Sequence, residues 1–415
     1  MSLRQRALAF GATALLACSA SHAQPWCDAP TARKQAVLQS LGWQFVAAND
    51  AAAPTINAGT PCDRDDLAQA HAAGDLRVSL PGNIDAAARA ALLDTLLDHP
   101  ATHCAYAFLL GDATRRAVDK LVANPRYRFS ALQLGWIGFG AGGAQADGWL
   151  EVRSFGRGYR PAGSNMRAIE GFYRGAIRSE CGVSRQIAQL ATQAELYGAA
   201  AFDQAFDAEE LTIGTFNQLH GTRSILLGSE AGEFQRDGRA RRASRDGQQA
   251  FAGLPGFIEH VFAHDTLDDI NNQAESFVVY RVSDAAARAL RAHDGFDHYN
   301  RINDEVWRLA RTVNLHGALR GFERLLIERD STLRARLGPD ARTTVARMDE
   351  LLDDPFYRGF DIYVHKLGVK PVGFHIARLL DRNPRTPFRI ELVLHNLHTT
   401  LYRRYLATRL GCDAG

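Results

Sequence analysis

The amino-terminal segment determines the compartment in which the rest of this chain has to fold. Arg4 and Arg6 precede an apolar stretch over residues 7–17, and the small residues Ser21 and Ala23 follow it. A basic start, a short apolar run and a small-residue end are typical of a secretory signal. The sequence therefore predicts that residues 1–23 are a signal peptide and that the mature protein is periplasmic or secreted.

A lipid anchor is the alternative for this segment. Leu15, Leu16 and Ala17 before Cys18 resemble a lipoprotein box, in which Cys18 would carry the lipid. The polar run that follows Cys18 favours ordinary cleavage instead. The apolar stretch is well short of the ~20 residues that a membrane-spanning helix needs, and no later segment is apolar enough to span a bilayer, so we expect no membrane span.

Cysteine placement indicates which thiol could be reactive. Cys18 lies in the leader, and an odd number of cysteines follows it: Cys27, Cys62, Cys104, Cys181 and Cys412. In an oxidising compartment an odd number leaves at least one thiol outside the disulfides. Cys27 and Cys62 lie in a polar, turn-rich stretch that suits a bridge, and a bond from Cys412 to Cys104 would hold the carboxyl terminus. These pairings leave Cys181 as the candidate free thiol.

Composition is that of an ordinary globular protein. The 415 residues are 46% hydrophobic and 23% charged, which suggests two or three domains with a substantial core. The formal net charge of +2 gives no argument for nucleic acid as a partner.

Periodicity predicts three regions after the leader. Residues 24–115 are mainly helical, and residues 116–300 mix helix and strand as expected of the catalytic domain. Residues 301–415 have apolar positions spaced by helical turns, and Thr386 followed by Pro387 is typical of the start of a final helix. The predicted class is therefore α+β, with helical additions at both ends.

Neither a cofactor nor a metal is predicted. Residues 138–143 have the glycine pattern of a dinucleotide fingerprint, but no helix pattern follows them. His260 and His264 have the spacing of zinc ligands on one helix face, but Val261 occupies the place where the zincin motif requires glutamate.

Cys181 is predicted to lie at the start of a helix. The residues after it include Ile187, Leu190, Ala191 and Ala194, which is the apolar stripe of an amphipathic helix. Unpaired N–H groups and the helix dipole at such a position favour the thiolate and lower the pKa of a cysteine from its usual ~8.5. A buried, inert cysteine would give the same pattern, so this feature alone leaves both interpretations open.

A longer pattern around the cysteine resembles a known family. The spacing from Glu180 and Cys181 to Gly198, Phe202 and Phe206 resembles the nucleophile helix and the following helix of the bacterial spore-coat transglutaminases, which are protein-glutamine gamma-glutamyltransferases. The resemblance extends over roughly residues 120–300.

This resemblance implies a papain-like (NlpC/P60-like) core in which the cysteine helix packs on an antiparallel sheet. It implies Cys181 as nucleophile, Glu275 as the carboxylate that opens a strand, and His293 as the base. The segment between Glu275 and His293 has a helical pattern where the family continues in strand, so His220 is the main rival for the base. Three further histidines are in range: His260, His264 and His298.

The resemblance implies an acyltransferase that acts on glutamine carboxamides of a protein or peptide substrate through a thioester on Cys181. A lysine amine as acceptor would give a crosslink, and water would give deamidation. Two alternatives stay open: a papain-like cell-wall amidase or cysteine peptidase, and a non-catalytic envelope protein that uses the fold for binding.

Overall fold

The structure is a computed structural model of the chain. It describes residues 26–48, 53–58, 76–129, 146–152, 158–214, 222–226, 250–260, 275–293, 295–313, 321–382, 387–392 and 396–412. Helices and strands are mixed along these segments, which confirms the predicted α+β class. The predicted leader with Cys18 lies outside them, as do Cys62 and the glycine-rich residues 138–143.

The elements of the amino-terminal half follow one another in short alternations. In chain order they are α1 (Thr31–Ser40), β1 (Gln44–Ala47), β2 (Thr55–Asn57), β3 (Arg77–Leu80), α2 (Ala86–Leu97), α3 (Pro100–Ala123), β4 (Tyr127–Phe129), β5 (Trp149–Glu151), β6 (Tyr159–Pro161), α4 (Asn165–Arg174), β7 (Ile177–Ser179), α5 (Cys181–Tyr197) and α6 (Ala199–Ala205).

The carboxyl-terminal half contains longer strands and more helices. In chain order they are β8 (Pro255–His260), β9 (Glu275–Val282), α7 (Asp284–Ala292), α8 (Phe296–Thr312), a π-helical turn (Glu323–Ile327), α9 (Ser331–Ala335), α10 (Pro339–Leu352), α11 (Pro355–Gly359), β10 (Phe360–Tyr363), a 3-10 turn (His365–Leu367), β11 (Val369–Pro371), α12 (Val372–Arg382), β12 (Phe388–Leu392) and α13 (Asn396–Leu410). Among the described helices, none has the length and apolar character needed to cross a bilayer.

Small sheets belong to the amino-terminal half. The strands β1, β3 and β2 form a sheet in that order, with β1 and β3 parallel and β2 and β3 antiparallel. Strand β4 pairs in parallel with β7, and β5 pairs antiparallel with β6. Of these pairings, that of β4 with β7 lies next to the site, because a single residue, Glu180, separates the end of β7 from the start of α5.

A five-stranded sheet forms the centre of the molecule. Its order is β11-β10-β9-β8-β12, and each neighbouring pair is antiparallel. In the middle strand β9, Glu275 lies opposite Ile258 and Val278 lies opposite both Pro255 and Tyr363. The first five residues of β9 are buried on both faces, as is usual for a strand that is covered on both sides.

Helices cover both faces of this sheet. Because side chains alternate along a strand, Val278 contributes to the first core, which also contains apolar residues of α3 and α5. Phe277 and Val279 point the other way, into the second core, which they share with α8, α10 and α12. The cysteine helix α5 therefore lies on one face and α12 on the other.

The prediction that nearly all of the chain after residue 300 is helical missed three strands. Strands β10, β11 and β12 lie there and complete the sheet that β8 and β9 begin, so the sheet joins both sides of the predicted boundary. Pro387 leads into β12, not into a helix, and Phe388, Ile390 and Leu392 alternate with more exposed residues. Thr386, the predicted cap, lies outside the described residues.

The predicted disulfide pairing was also wrong. Cys27 is bonded to Cys412, with their Cα atoms 6.1 Å apart. Helices α1 and α13 pack against each other, and Arg33 Nε donates to the carbonyl of Arg409 at 2.9 Å. The two ends of the described chain are therefore neighbours in space, which sequence separation could not reveal.

The remaining cysteines agree with one earlier prediction. Cys104 is also disulfide-bonded, and its partner lies outside the described residues. Cys181 is the free cysteine of the described part of the chain, and it is half-buried. The prediction that Cys181 is the thiol left over is confirmed.

Glycine at position 256 of β8 is required by close packing in the sheet. A Cβ atom there would meet the ring of Phe277 and would lie 2.6 Å from the carbonyl oxygen of Glu391. We expect Gly256→Ala to lower the free energy of unfolding by about 1–3 kcal/mol, because overpacking forces neighbours to move. Gly163→Ala is the matched control, since a Cβ at Gly163 has no atom within 4 Å. Denaturant unfolding of both variants tests this, and equal stabilities would contradict it.

Candidate functional site

The free thiol lies at the first position of a long, buried helix. Cys181 begins α5, and Glu180 is its N-cap residue. The predicted apolar stripe is buried, and so are Ser184 and Arg185, so the helix is enclosed on nearly every side. The prediction of a helix that starts at Cys181 is confirmed.

The capping interactions differ from those expected from the sequence. The Glu180 carboxylate accepts hydrogen bonds from the N–H groups of Gly182 and Val183, each at 2.6 Å. These N–H groups were expected to be unpaired and to stabilise a thiolate at Cys181. Because an acidic side chain occupies them, a thiolate at this position needs positive charge from elsewhere.

A ring of three hydroxyl groups holds the start of the helix in place. Tyr127 Oη donates to Ser184 Oγ at 2.7 Å, Ser184 Oγ and Ser179 Oγ are 2.7 Å apart, and Ser179 Oγ and Tyr127 Oη are 2.8 Å apart. All three side chains are buried. Burial is the main cause that raises the pKa of Tyr127 above its usual value, so the phenol keeps its proton and acts as a donor. The ring connects β4, β7 and α5 around the turn that carries Cys181.

The contacts of α5 show how the helix lies along the sheet. The guanidinium of Arg185 lies over the ring of Phe257, 4.5 Å from its centroid. One helical turn later, Gln189 lines a small cavity together with Pro255, which precedes Phe257 by two residues in β8. Four helix residues rise about 6 Å, and two strand residues span about 6.6 Å. Helix α5 is therefore antiparallel to β8 and parallel to β9.

This register places Cys181 at the end of the sheet where β9 begins. One turn before Arg185 corresponds to two residues after Phe257, which is Glu259, and Glu259 is one residue past the pair of Ile258 and Glu275. The side chain of Cys181 also packs against the second core, on the other side of the sheet. The thiol therefore lies at the margin of the sheet, where the two cores meet, and about one residue beyond the level of Glu275.

Glu275 is buried and is hydrogen-bonded to a histidine that the sequence did not indicate. It opens β9 as predicted and exposes 1% of its surface. His375 of α12 is fully buried, and its Nδ1 contacts Glu275 Oε2. Arg378, one turn along the same helix, has its Nε 3.9 Å from Glu275 Oε1. Glu275 therefore faces the protein interior and not solvent.

The second ring nitrogen of His375 has a different environment. His375 Nε2 is buried and has no hydrogen-bond partner among the described residues. Buried polar atoms normally have such partners. A histidine whose Nδ1–H is held by a carboxylate and whose Nε2 is left open has the arrangement of a general base.

Another buried histidine lies at the same end of the sheet. His365 follows β10 and begins the 3-10 turn, which contacts both α5 and β4. Its φ of 37° is in the left-handed region, which is unusual for a residue other than glycine. Its Nδ1 accepts a hydrogen bond from the N–H of Leu367 at 3.3 Å. In the neutral ring the proton then resides on Nε2, so His365 is a donor.

The other predicted histidines do not form this pair. His293 is exposed at the end of α7, and its ring stacks on that of His298 with centroids 3.9 Å apart. The buried partner of Glu275 is therefore His375 and not His293. His220 and His264 lie outside the described residues, and only the backbone of His260 is described, in β8 opposite Phe388.

A sequence signal for His375 exists but is weak. His375 lies three residues after Val372 and four before Leu379, and both are fully buried, so the histidine occupies the apolar stripe of α12. A histidine on an apolar stripe is a candidate for a buried, paired role. His365 has no comparable signal, because its position depends on the turn after β10.

Metal binding has no support in the described part of the chain, where no group of three histidine, cysteine, aspartate or glutamate residues could hold an ion.

Comparison of the whole chain with family models, with curated proteins and with solved structures finds no match. The function must therefore be argued from the residues of the site.

The hydroxyl ring beside Cys181 can be tested by removing one oxygen. We expect Tyr127→Phe to lower the free energy of unfolding by about 1–3 kcal/mol, because two buried serine hydroxyls lose a partner. The control is Tyr280→Phe, whose hydroxyl donates to exposed Asp119 and whose loss should cost less than about 0.5 kcal/mol. Thermal and denaturant unfolding measure both, and a Tyr127→Phe protein as stable as the control would contradict the role of the ring.

Proposed function

We propose that this protein is an exported thiol acyltransferase that acts on glutamine carboxamides through a thioester on Cys181. The observation that carries the proposal is the position of this one free thiol among the described cysteines. It begins a buried helix about one residue beyond the level of Glu275, which is paired with His375. A papain-like core, with a cysteine helix packed on an antiparallel sheet, is the finer description of the fold that we propose.

The reaction has two steps that a single cysteine can perform. The thiolate attacks the carbonyl carbon of the carboxamide, and the C–N bond breaks as ammonia leaves with one added proton. The thioester is then attacked by an amine, which gives a substituted amide, or by water, which gives a carboxylic acid. In both cases the sulfur leaves as thiolate, and no electron is transferred to or from the protein.

Positive charge near the sulfur supports the first step. Cys181 and Arg185 are four residues apart on α5, so they lie on the same helix face with Cβ atoms about 5–6 Å apart. Arg185 exposes only 1% of its surface and is held over Phe257. A buried guanidinium in this position offsets the negative charge of Glu180, which occupies the helix N–H groups.

The choice of glutamine as acyl donor rests on the pattern from Glu180 to Phe206 that resembles the spore-coat transglutaminases. In the structure Phe202 and Phe206 of this pattern are buried, with ring centroids 5.2 Å apart, and Gly198 has a φ of 77° between α5 and α6. These residues therefore have packing and backbone roles in shaping the helix pair. The cell-wall amidase or peptidase remains the second candidate, because the same thioester chemistry serves both.

Export agrees with two structural findings. A disulfide joins Cys27 to Cys412, and a second disulfide includes Cys104. Disulfides persist mainly in oxidising compartments. We propose the periplasm or the medium as the site of action.

Replacement of the nucleophile tests the proposal. We expect Cys181→Ala to reduce incorporation of dansylcadaverine into lysine-methylated casein by more than about 1,000-fold, because removal of a covalent nucleophile leaves only binding and electrostatics. Fluorescence of the modified casein and the mass of the thioester intermediate are the measurements. Release of ammonia without amine incorporation would assign the enzyme to deamidation.

The matched control removes cysteines elsewhere. The double variant Cys27→Ser, Cys412→Ser should lose stability by about 2–5 kcal/mol and retain amine incorporation below its unfolding temperature. If Cys181→Ala keeps full activity, the thiol mechanism is wrong. If the wild type cleaves cell-wall peptides and ignores glutamine donors, the second candidate function is correct.

A further inference from the structure

We infer that His375 is the general base that takes the proton of Cys181, and that Glu275 is the positioning residue that holds its ring. This inference rests on the proposed function, because it concerns the same thiol. It assigns the base to α12, on the opposite face of the sheet from the cysteine helix.

The hydrogen bond to Glu275 determines which ring nitrogen can accept a proton. Glu275 Oε2 accepts the Nδ1–H of His375, so the neutral ring carries its lone pair on Nε2. Nε2 has no hydrogen-bond partner among the described residues, Cys181 included, so the lone pair is unoccupied and the transfer requires the thiol to approach the ring. The carboxylate thus fixes both the tautomer and the orientation of the ring.

The positions of the two groups along the sheet agree with a transfer between them. The register of α5 against β8 and β9 puts Cys181 about one residue beyond the level of Glu275, and the thiol packs against the second core. His375 belongs to a helix of that second core, between buried Val372 and Leu379. Both groups therefore reach the same margin of the sheet from opposite faces.

The rival histidines fit the role less well. His365 accepts the N–H of Leu367 at Nδ1, so its neutral ring offers a donor at Nε2 and not a lone pair. His293 is exposed and stacked on His298. Among the described histidines, His375 is the one with a carboxylate at Nδ1 and a buried, open Nε2.

Glu275 contacts His375 directly, and Arg378 lies one turn along the same helix with its Nε 3.9 Å from Glu275 Oε1. Four other charged residues on α12 and on the elements packed against it have partners of their own. These are Asp361 with Arg281, Asp381 with the N–H groups of Phe322 and Glu323, Asp354 with Tyr299, and Lys370 over Phe374.

The proton then follows one path. The thiol S–H bond breaks, the electron pair stays on sulfur, and the proton moves to His375 Nε2. The resulting imidazolium lies between the thiolate and Glu275, so its positive charge is paired on both sides. It returns the proton to the nitrogen that leaves as ammonia, which restores the neutral ring for the second step.

Alkylation of Cys181 by iodoacetamide across pH 5–10 tests the inference without requiring turnover. In the wild type we expect the rate constant to stay high down to acidic pH, because an ion pair preserves the thiolate. In His375→Gln the rate at pH 6 should fall at least about tenfold and follow an ordinary thiol titration near ~8.5. Glu275→Gln should shift the profile in the same direction, and His293→Gln should leave it unchanged.

The outcomes separate the inference from the proposed function. If folded His375→Gln keeps the wild-type profile, the inference is wrong and Cys181 can still be the nucleophile. If the wild type itself titrates as an ordinary thiol, both fail. A Cys181→Ala protein with full amine incorporation contradicts the proposed function alone.

A measurement on the wild type covers the case in which His375→Gln does not fold. With 15N-labelled histidine, conversion of Cys181 to its methyl disulfide should change one imidazole from the doubly protonated to the singly protonated form at pH 7. The remaining proton should be on Nδ1, as the pairing with Glu275 requires. If no imidazole changes, the inference is overturned.

Discussion

The packing of α5 along the sheet is the contact on which the rest of the molecule depends. Its apolar residues fill the first core with α3 and β9, and its polar residues are buried with it. Gln186, for example, donates to the carbonyl of Gly214 at 2.6 Å and accepts the N–H of the same residue at 2.9 Å. A helix enclosed in this way can shift along its axis only if such bonds break. The position of its first residue, Cys181, is therefore fixed by the whole length of the helix.

The burial of Glu275 and His375 determines whether their interaction can stabilise the fold. Removing two ionisable groups from water costs free energy that their mutual attraction only partly returns, so such a pair is weak evidence for a stabilising role. The pair stands at the first residue of β9, where the sheet ends and both cores approach the half-buried thiol. This location is the reason that we propose a catalytic role for the pair.

The sequence predicted helices and strands that depend on local residue patterns, and it missed contacts between residues far apart in the chain. The helix at Cys181 and the strand at Glu275 follow from periodicity and β-branched content, and both are confirmed. Strand β12 was mistaken for a helix, because Ile390 and the later leucines also match a helical spacing in a segment too short to decide. The partner of Glu275 is 100 residues away, and the partner of Cys27 is 385 residues away. A single sequence contains no signal for contacts between residues so far apart.

The bond between Cys27 and Cys412 imposes an order on biosynthesis. On the export that we propose, Cys27 crosses the membrane early, but its partner lies 385 positions later in the chain. Throughout that interval Cys27 is exposed to cysteines that emerge sooner, which favours a wrong pairing and then a need for rearrangement. Thiol–disulfide exchange by an isomerase would correct such pairs. Cys181 emerges in the same interval, so the proposed export of this chain requires that the thiol of Cys181 is kept out of these exchange reactions.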